Sequence, residues 1–164
     1  MSQVATTEEP ILATRAAYVA ACRALLTVRW VHQGRSEMGV DCVGLLVVPA
    51  IQVGLMAADV ATPDYQRGPK GDRLDQLLHQ HGRRLARWQD AQLGDVLALK
   101  YYDQPQHVCV VTRAWREGWG FQIIHAFGST EGGGGVIEHR LDNTWLKSHR
   151  AKIHAAFSFR GIGE

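Results

Sequence analysis

Apolar residues recur at helical spacing through the first part of the chain. Two threonines and two glutamates precede Pro10, a composition typical of a helix start. The apolar stripe that follows predicts one helix running to about Val28, with a single buried face. Cys22 lies on that stripe, and we expect it to be a small buried hydrophobic side chain. The stripe consists of Ile11, Leu12, Tyr18, Val19, Cys22, Leu25 and Leu26.

A nearly continuous apolar run in the first half of the chain predicts a buried central helix. Polar residues and two glycines over residues 32–40 indicate a loop that leads into the Asp41-Cys42 pair. The helix should begin there, because the run Val43–Leu55 is almost wholly apolar, which is typical of a helix buried on all sides. Pro49 is expected to kink this helix or to end its first half.

A third helix is predicted after a polar surface segment. Residues 59–72 carry two prolines, three aspartates and two glycines, which indicates a surface excursion that could form one wall of a cleft. Asp72 is then expected to cap a helix with one apolar stripe. Three arginines at positions 83, 84 and 87 lie off the stripe, which indicates a solvated face. The stripe consists of Leu74, Leu77, Leu78, Leu85 and Trp88.

The second half of the chain changes to short runs typical of strands. The turns between these runs are short, so the strands should be antiparallel neighbours. Helices in the first half and an antiparallel sheet in the second make the predicted fold class α+β. The glycines at 132–135 are expected to form a flexible hairpin tip. The predicted strands are Val96–Tyr101, His107–Trp115, Trp119–Phe127, Val136–His139 and Lys152–Phe159.

Composition and charge narrow the class of protein. The chain has 164 residues, 46% of them apolar, which suffices for one core, so we expect a single domain over residues 1–164. A net charge of +2 is too small to indicate a nucleic-acid partner. The three cysteines cannot all pair within one chain, which argues against a disulfide scaffold. We expect no cofactor.

The sequence lacks the composition of a secretory signal or a membrane span. Its first residues include two glutamates and no positive charge before Arg15, so we expect synthesis in the cytoplasm without a signal peptide. The longest uncharged run, Val43–Ala58, is broken by Pro49, Gln52 and Gly54, so no membrane-spanning helix is expected.

One cysteine and two histidines form the candidate chemical site. Cys42 would lie at the start of the central helix, where backbone N–H groups favour thiolate over thiol and could stabilise an oxyanion. Strand alternation places His125 among apolar neighbours, where its ring requires a polar partner. If the strands that carry His107 and His125 are adjacent, the two rings can meet on the face toward the central helix. The expected order is then nucleophile, base and orienting residue.

Four short motifs follow one another in the region of residues 30–126. They are Asp41-Cys42-Val43-Gly44-Leu45, Gly94-Asp95-Val96, His107-Val108 and Ile124-His125-Ala126. Together they resemble the NlpC-like cell-wall peptidases, which are papain-like cysteine enzymes. The resemblance implies a papain-like fold with N-terminal helices packed on an antiparallel sheet and the nucleophile at the start of the central helix. It also implies that Cys42 is the nucleophile, His107 the base and His125 the third, orienting residue.

Further residues resemble the phage-tail branch of this family, the tail-assembly peptidases. They are Trp30, the segment 32–35, the loop 65–69, Trp145 and the strand ending at Phe159-Arg160. Family enzymes usually hydrolyse the stem peptide of peptidoglycan, often between D-glutamate and diaminopimelate, through a thioester. The resemblance implies a peptidoglycan endopeptidase carried in the virion on the phage tail, with tail-tip proteins as partners, that acts on the periplasmic cell wall.

Three positions before and after the nucleophile concern substrate recognition. Many family members carry serine after the nucleophile and a Pro-Tyr pair upstream, where this chain has Val43 and Trp30-Val31. Asp41 either binds the free amino group of the stem peptide or caps the central helix. We therefore take Asp41, Trp30 and Val43 as candidate substrate-binding residues. Gly44 is expected to permit close packing of the helix on the sheet.

Two other interpretations stay open. Cys42, His107, Cys109 and His125 could form a tetrahedral zinc site, although they lack the paired cysteine spacing of ordinary zinc sites. The chain could instead be a structural tail-tip or adaptor protein that keeps the peptidase fold with little activity. The remaining histidines are expected to be surface or core residues. They lie at positions 32, 79, 81, 139, 149 and 154.

Overall fold

The elements of the fold are taken from a computed structural model, which describes residues 9–60, 72–101, 104–128 and 133–164. The predicted loop 65–69 and most of the predicted cleft wall over 59–72 lie outside the described residues. The helices are α1 (Arg15–Arg23), α2 (Cys42–Gln52), α3 (Asp72–His81) and α4 (Asn143–Ser148), with a short 3-10 helix at Trp88–Asp90. The strands are β1 (Ala13–Thr14), β2 (Arg35–Ser36), β3 (Gly39–Val40), β4 (Gly82–Arg84), β5 (Val96–Tyr101), β6 (Gln104–Arg116), β7 (Gly120–Gly128), β8 (Gly134–Leu141), β9 (Ala151–Phe159) and β10 (Ile162–Gly163).

A six-stranded sheet forms the centre of the described structure. Its strand order is β4-β9-β5-β6-β7-β8, and every neighbouring pair is antiparallel. Strands β5 to β8 follow one another in sequence and in space, because short connections favour antiparallel neighbours. The predicted class, α+β, is confirmed.

Apolar side chains are buried on both faces of this sheet. On one face, Val108 and Ile124 pack with the apolar residues of α1, α2 and α3. On the other face, Leu97 and Ile123 pack with the 3-10 helix and α4. Successive residues of a strand point to opposite faces, so each strand contributes side chains to both clusters.

The central helix α2 begins at Cys42, as the sequence predicted. Its residues from Cys42 to Val47 are all buried, which agrees with the nearly unbroken apolar run. Pro49 lies inside the helix and has no N–H donor, and the helix ends at Gln52 within one turn of it. Among the described residues, no helix combines the length and the apolar composition needed to span a membrane.

The first helix is shorter than predicted at both ends. It begins at Arg15 with Thr14 as its N-cap, and it ends at Arg23 rather than near Val28. Strand β1, which precedes it, pairs in parallel with β10 near the other end of the chain. This tertiary pairing overrides the helix-start composition around Pro10, because local propensity is weak compared with long-range contacts.

The third helix also ends earlier than predicted. It stops at His81, and the next three residues form β4 beside β9. Leu85 and Trp88 therefore lie outside the helical stripe, and they pack in the cluster on the face of the sheet opposite α2. Strand pairing with β9 ends the helix, so the helical spacing of these two residues is coincidental.

The nearest contacts of Gly44 are with the segment that precedes the central helix. A Cβ atom at this position would lie 2.1 Å from the carbonyl oxygen of Gly34 and 3.2 Å from Cβ of Val40. The absence of a side chain therefore lets α2 approach the loop that precedes Cys42. This contact contributes to the position of the start of the helix.

A buried carboxylate joins three segments that are distant in sequence. Asp95 is 1% exposed and lies in the turn before β5. It accepts hydrogen bonds from Arg15 Nη1 at 2.7 Å and from Ser158 Oγ at 2.5 Å. It also accepts one from the backbone N–H of Gln92 at 2.8 Å. The carboxylate thereby connects the start of α1 with β9 and with the start of β5.

We expect Asp95→Ala to lower the free energy of unfolding by about 3–5 kcal/mol, because it leaves the largely buried Arg15 guanidinium without its carboxylate. Urea denaturation measures this. Asp90→Ala is the control, because Asp90 is exposed and its loss should cost no more than about 0.5 kcal/mol. Equal effects of the two substitutions would contradict the structural role of Asp95.

Candidate active site

The carboxylate of Asp41 fixes the loop and the helix start that flank Cys42. It is 2% exposed and accepts a hydrogen bond from the backbone N–H of Gly44 at 2.8 Å, which makes it the N-cap of α2. It also accepts hydrogen bonds from the backbone N–H of Gln33 at 2.8 Å and from Arg35 Nη1 at 3.0 Å. The structure thus shows Asp41 as the helix cap, one of the two functions considered for it, and its binding of a substrate amine stays a prediction.

The sulfur of Cys42 lies between the helix start and strand β6. Cys42 is 6% exposed. Backbone hydrogen bonds from Val43 and from Val108 act on the sulfur, and both lower its pKa. Val108 directly follows His107 in β6, so the structure brings the cysteine to the strand segment that carries the first candidate histidine.

The pKa of the Cys42 thiol is raised to about 12. Burial is the main cause, and the negative charge of Asp41 is the second. The two backbone hydrogen bonds and the Arg35 charge act in the opposite direction but are smaller. The backbone N–H of Val43 at the helix start thus acts in the predicted direction, but burial has the larger effect on the thiol pKa. Removal of the sulfur from water outweighs the helix terminus, so the resting group is a neutral thiol.

The two candidate histidines are hydrogen-bonded to each other. His107 Nε2 and His125 Nδ1 lie 2.7 Å apart, and both residues are buried. Their rings meet edge to face, with centroids 5.0 Å apart. The adjacent strands β6 and β7 hold them in this arrangement. His125 thus has the polar partner that its apolar surroundings required.

His125 faces away from the central helix, which corrects the expectation that the pair meets on the helix side. Its neighbours Ile124 and Ala126 lie in the cluster with α2, whereas Ile123, two residues before it, lies in the opposite cluster. The ring of His125 contacts Trp145 of α4, with centroids 6.0 Å apart. Strand alternation gives the helix face to the apolar residues and the other face to the histidine.

Burial lowers the pKa of both histidines. It lowers the pKa of His107 to about 4, while the charge of Asp41 acts in the opposite direction. The pKa of His125 falls to about 2, first by burial and then through His107, His139 and His149. Both rings are therefore neutral near pH 7. The site combines a neutral thiol with a neutral imidazole pair, so attack by the sulfur must be coupled to loss of its proton.

Sequence reasoning missed two residues at this site. His139 on β8 places Nε2 2.9 Å from Nε2 of His125. Tyr101 at the end of β5 has its ring 6.4 Å from that of His107, and its hydroxyl pKa is raised to about 12, chiefly by burial. Strand alternation was the available signal for His139. Residue 139 pairs with residue 123 across β7 and β8, and His125, two residues further along β7, lies on the same face of the sheet. Nothing in the local sequence singled out Tyr101.

The two remaining predicted substrate residues lie in different environments. The side chain of Val43 is 1% exposed and packs in the core, so it is not available to a substrate, which corrects the expectation. Only its backbone acts on the Cys42 sulfur. Trp30 is half-buried, and a Cβ on Gly128 would lie 3.1 Å from its ring. Its indole therefore covers the end of β7, the strand that carries His125.

The four proposed zinc ligands do not form a common site. The Cys109 sulfur donates to the carbonyl oxygen of Leu97 at 3.8 Å, in the cluster on the far face of the sheet. The nitrogens of His107 and His125 are 2.7 Å apart, closer than the roughly 3.3 Å between two nitrogen ligands of a tetrahedral zinc. Within the described part of the chain, no three ligand-type side chains are grouped around one ion position.

Comparison with solved structures identifies the type of fold. No protein-family model matches this chain, and no curated protein matches it in sequence. The chain is similar to the crystal structure of the NlpC/p60 domain of the peptidoglycan hydrolase SagA. The TM-score is 0.56 at 19% sequence identity, and the match covers 88% of this chain and 98% of that one. The chain therefore has an NlpC/p60-type fold, which agrees with the NlpC-like fold that the sequence motifs implied.

We expect alkylation of Cys42 by iodoacetamide to accelerate about tenfold per pH unit between about pH 6 and about pH 9. A thiol with its pKa raised to about 12 stays protonated over this range, so its thiolate fraction grows with every unit. Mass spectrometry of the peptide that carries Cys42 separates this rate from labelling of Cys22 and Cys109. A level rate across the lower half of the range would reveal a thiolate–imidazolium pair instead.

Proposed function

We propose that this chain is a cysteine peptidase that hydrolyses the stem peptides of peptidoglycan. The observation that carries the proposal is the 2.7 Å hydrogen bond between His107 and His125, beside a strand backbone that contacts the Cys42 sulfur. Such a linked pair is the arrangement needed by a base whose ring must be oriented. The peptidoglycan hydrolase with a similar fold supports the class of substrate. Its match covers 88% of this chain, which supports one peptidase domain over residues 1–164.

In this mechanism the thiol loses its proton as it reacts. His107 accepts the proton from Cys42, and the sulfur attacks the carbonyl carbon of the scissile amide. The carbon–nitrogen bond breaks, and the leaving amine takes the proton from His107. A water molecule then gives a proton to His107 and attacks the thioester, which releases the carboxylic acid and restores the thiol. His125 keeps the His107 ring in the orientation that these transfers require.

Backbone N–H groups supply the electrostatic part of the proposal. Hydrogen bonds from Val43 and Val108 already favour negative charge on the sulfur. The start of α2 adds the unpaired N–H groups of a first helical turn, which can stabilise charge that develops on the substrate oxygen. The neutral resting state means that this stabilisation is used mainly during the reaction and not in the free protein.

The proposed bond is the one between D-glutamate and diaminopimelate. Trp30 provides an aromatic surface over the end of β7 that could contact the stem peptide. Asp41 already accepts three hydrogen bonds within the chain, one of them from Arg35, so we assign it chiefly to positioning Cys42. Recognition of the substrate amine must therefore differ from that of family members with a serine beside the nucleophile.

A specific observation also favours a second candidate function. Cys42 is 6% exposed, and its thiol pKa is raised to about 12, which makes the free protein a weak nucleophile. A structural phage-tail or adaptor protein that keeps the fold with little activity is consistent with both properties. The catalytic proposal requires that substrate binding or an assembly partner supply the remaining activation.

We expect wild-type protein to release new diaminopimelate amino groups from purified peptidoglycan, and Cys42→Ala to lower the rate by roughly a thousandfold or more. Mass spectrometry of the released muropeptides identifies the bond that is cut. Cys22→Ala is the matched control, because Cys22 is also buried with its thiol pKa raised to about 12 but lies on α1 away from the histidines. It should retain wild-type hydrolysis.

The same experiment distinguishes the two candidate functions. Identical muropeptide profiles for wild type and Cys42→Ala, also in the presence of tail-tip proteins, would support the scaffold and contradict the peptidase. Cleavage at a different peptide bond would keep the mechanism and correct the substrate.

We also propose that the protein acts in the virion, as part of a phage tail, on the periplasmic cell wall. Mass spectrometry of purified particles should then detect its peptides in a fixed ratio to the tail-tip proteins. Immunogold labelling should place it at the tail and not on the capsid. Absence from purified particles would contradict the tail assignment and would favour an enzyme of lysis.

A further inference from the structure

A third imidazole continues the pair of candidate catalytic histidines. His139 on β8 has its Nε2 2.9 Å from Nε2 of His125, whose Nδ1 lies 2.7 Å from Nε2 of His107. The other nitrogen of His139, Nδ1, lies 2.8 Å from the backbone carbonyl oxygen of Arg140. The three rings therefore form one hydrogen-bonded chain that ends on a backbone oxygen.

The terminal carbonyl determines which nitrogen of each ring carries hydrogen. A carbonyl oxygen can only accept, so Nδ1 of His139 donates to it and Nε2 of a neutral His139 is left as an acceptor. His125 must then donate from Nε2 and accept at Nδ1. His107 in turn donates from Nε2, and the lone pair of this ring is at Nδ1. Only in this tautomer is Nδ1 of His107 free to take a proton.

The surroundings of the three imidazole rings favour their neutral forms. His125 is fully buried, His107 is 9% exposed, and burial is the main cause that lowers the pKa of each. Trp145 of α4 lies beside the junction of the other two rings, with its centroid 6.0 Å from that of His125 and 5.4 Å from that of His139. The ring of His149 stacks on the Trp145 ring, with centroids 3.9 Å apart. The charged residues on β8 and the following turn are already paired: Glu138 with Arg23 at 2.7 Å, and Arg140 with Asp142 at 2.7 Å.

We propose that His139 is a positioning residue that, by accepting a hydrogen bond from His125, sets the tautomer of His107 in which Nδ1 is the base. This inference rests on the proposed peptidase function. No proton moves along the chain during the reaction. Nδ1 of His107 takes the thiol proton, while its Nε2–H continues to donate to His125 and stabilises the imidazolium that forms.

Removal of the acceptor at His139 should reverse the direction of the hydrogen bond between His125 and His107. In His139→Phe the ring against Trp145 is kept, but Nε2–H of His125 loses its partner in a buried site, which is unfavourable. His125 avoids the unpartnered N–H by carrying its hydrogen at Nδ1 and donating to His107, which leaves only a lone pair without a partner at its Nε2. His107 then carries its own hydrogen at Nδ1, the position that must accept the thiol proton. His139→Gln is the conservative variant, because its amide oxygen can occupy the position of the lost Nε2 acceptor.

The test is nitrogen-15 NMR of the imidazole rings together with peptidoglycan hydrolysis. Wild type and His139→Gln should show His107 protonated at Nε2, and His139→Phe should show it wholly or partly protonated at Nδ1. We expect kcat of His139→Phe to fall on the order of 10–100-fold, the range seen when a partner that orients a metal-bound imidazole is removed. We expect substrate KM to be unchanged and His139→Gln to recover most of the rate.

The control variant is His149→Gln, which changes an imidazole on the same tryptophan without a bond to His125. It should keep the wild-type tautomer and rate. A His107 ring that stays protonated at Nε2 in folded His139→Phe overturns the proposal, whatever the activity. If the wild-type protein hydrolyses nothing, the proposed function fails, while the NMR comparison still decides the effect of His139. Circular dichroism confirms folding of each variant, and if His139→Phe does not fold, His139→Leu supplies the same comparison.

Discussion

The interactions of one buried carboxylate determine the geometry on which the candidate site depends. Asp41 binds the first turn of α2, the loop backbone at Gln33 and the Arg35 guanidinium. These hydrogen bonds fix the residue directly before Cys42. The Cys42 sulfur therefore has little freedom to move away from the β6 backbone at Val108. The same charge raises the pKa of both Cys42 and His107. One residue thus positions the thiol and also makes the imidazole a stronger base, at the expense of thiol acidity.

Desolvation gives the site its resting protonation state. A thiol and an imidazole in water have pKa values near ~8.5 and ~6.5, so they are close to exchanging a proton. Burial moves the thiol pKa up and the imidazole pKa down, to about 12 and about 4. The neutral forms are then strongly preferred until a substrate changes the surroundings of the sulfur. The arrangement protects the cysteine from unwanted reactions, because thiolate is the reactive form.

Local patterns in the sequence predicted the parts of the structure that depend on local physics. The apolar run after Asp41 predicted α2, and the short strand-like run after the Gly94-Asp95 turn predicted β5 over Val96–Tyr101. The pairing of His107 with His125 followed from two neighbouring strands and the cost of an unpartnered buried ring. The helix and strand predictions needed only periodicity, cap chemistry and short connections, whereas the histidine pairing also rested on the family motifs.

The remaining features depend on contacts between distant segments. The start of α1 depends on pairing with residues at the other end of the chain, which no local window contains. The thiol pKa depends on how completely the fold excludes water from Cys42. The contact of His139 with His125 depends on the register of the β7–β8 hairpin, whose glycine-rich connection leaves the register open in the sequence. The residues of the candidate site were therefore recognisable by type in the sequence, whereas the contact of His139 with His125 was not.

The parallel pairing of β1 with β10 has a mechanical consequence. The backbone N–H groups of Leu12 and Ala13 also donate to the carbonyl oxygen of Gly161, which reinforces this contact. Because β1 and β10 run in the same direction, the N-terminal end of β1 and the C-terminal end of β10 lie at opposite edges of the pair. Tension applied through the two flanking segments would therefore load these hydrogen bonds together in shear, and not one after another as in unzipping. The applied force would not reach the six-stranded sheet and its histidines until the β1–β10 pair had separated.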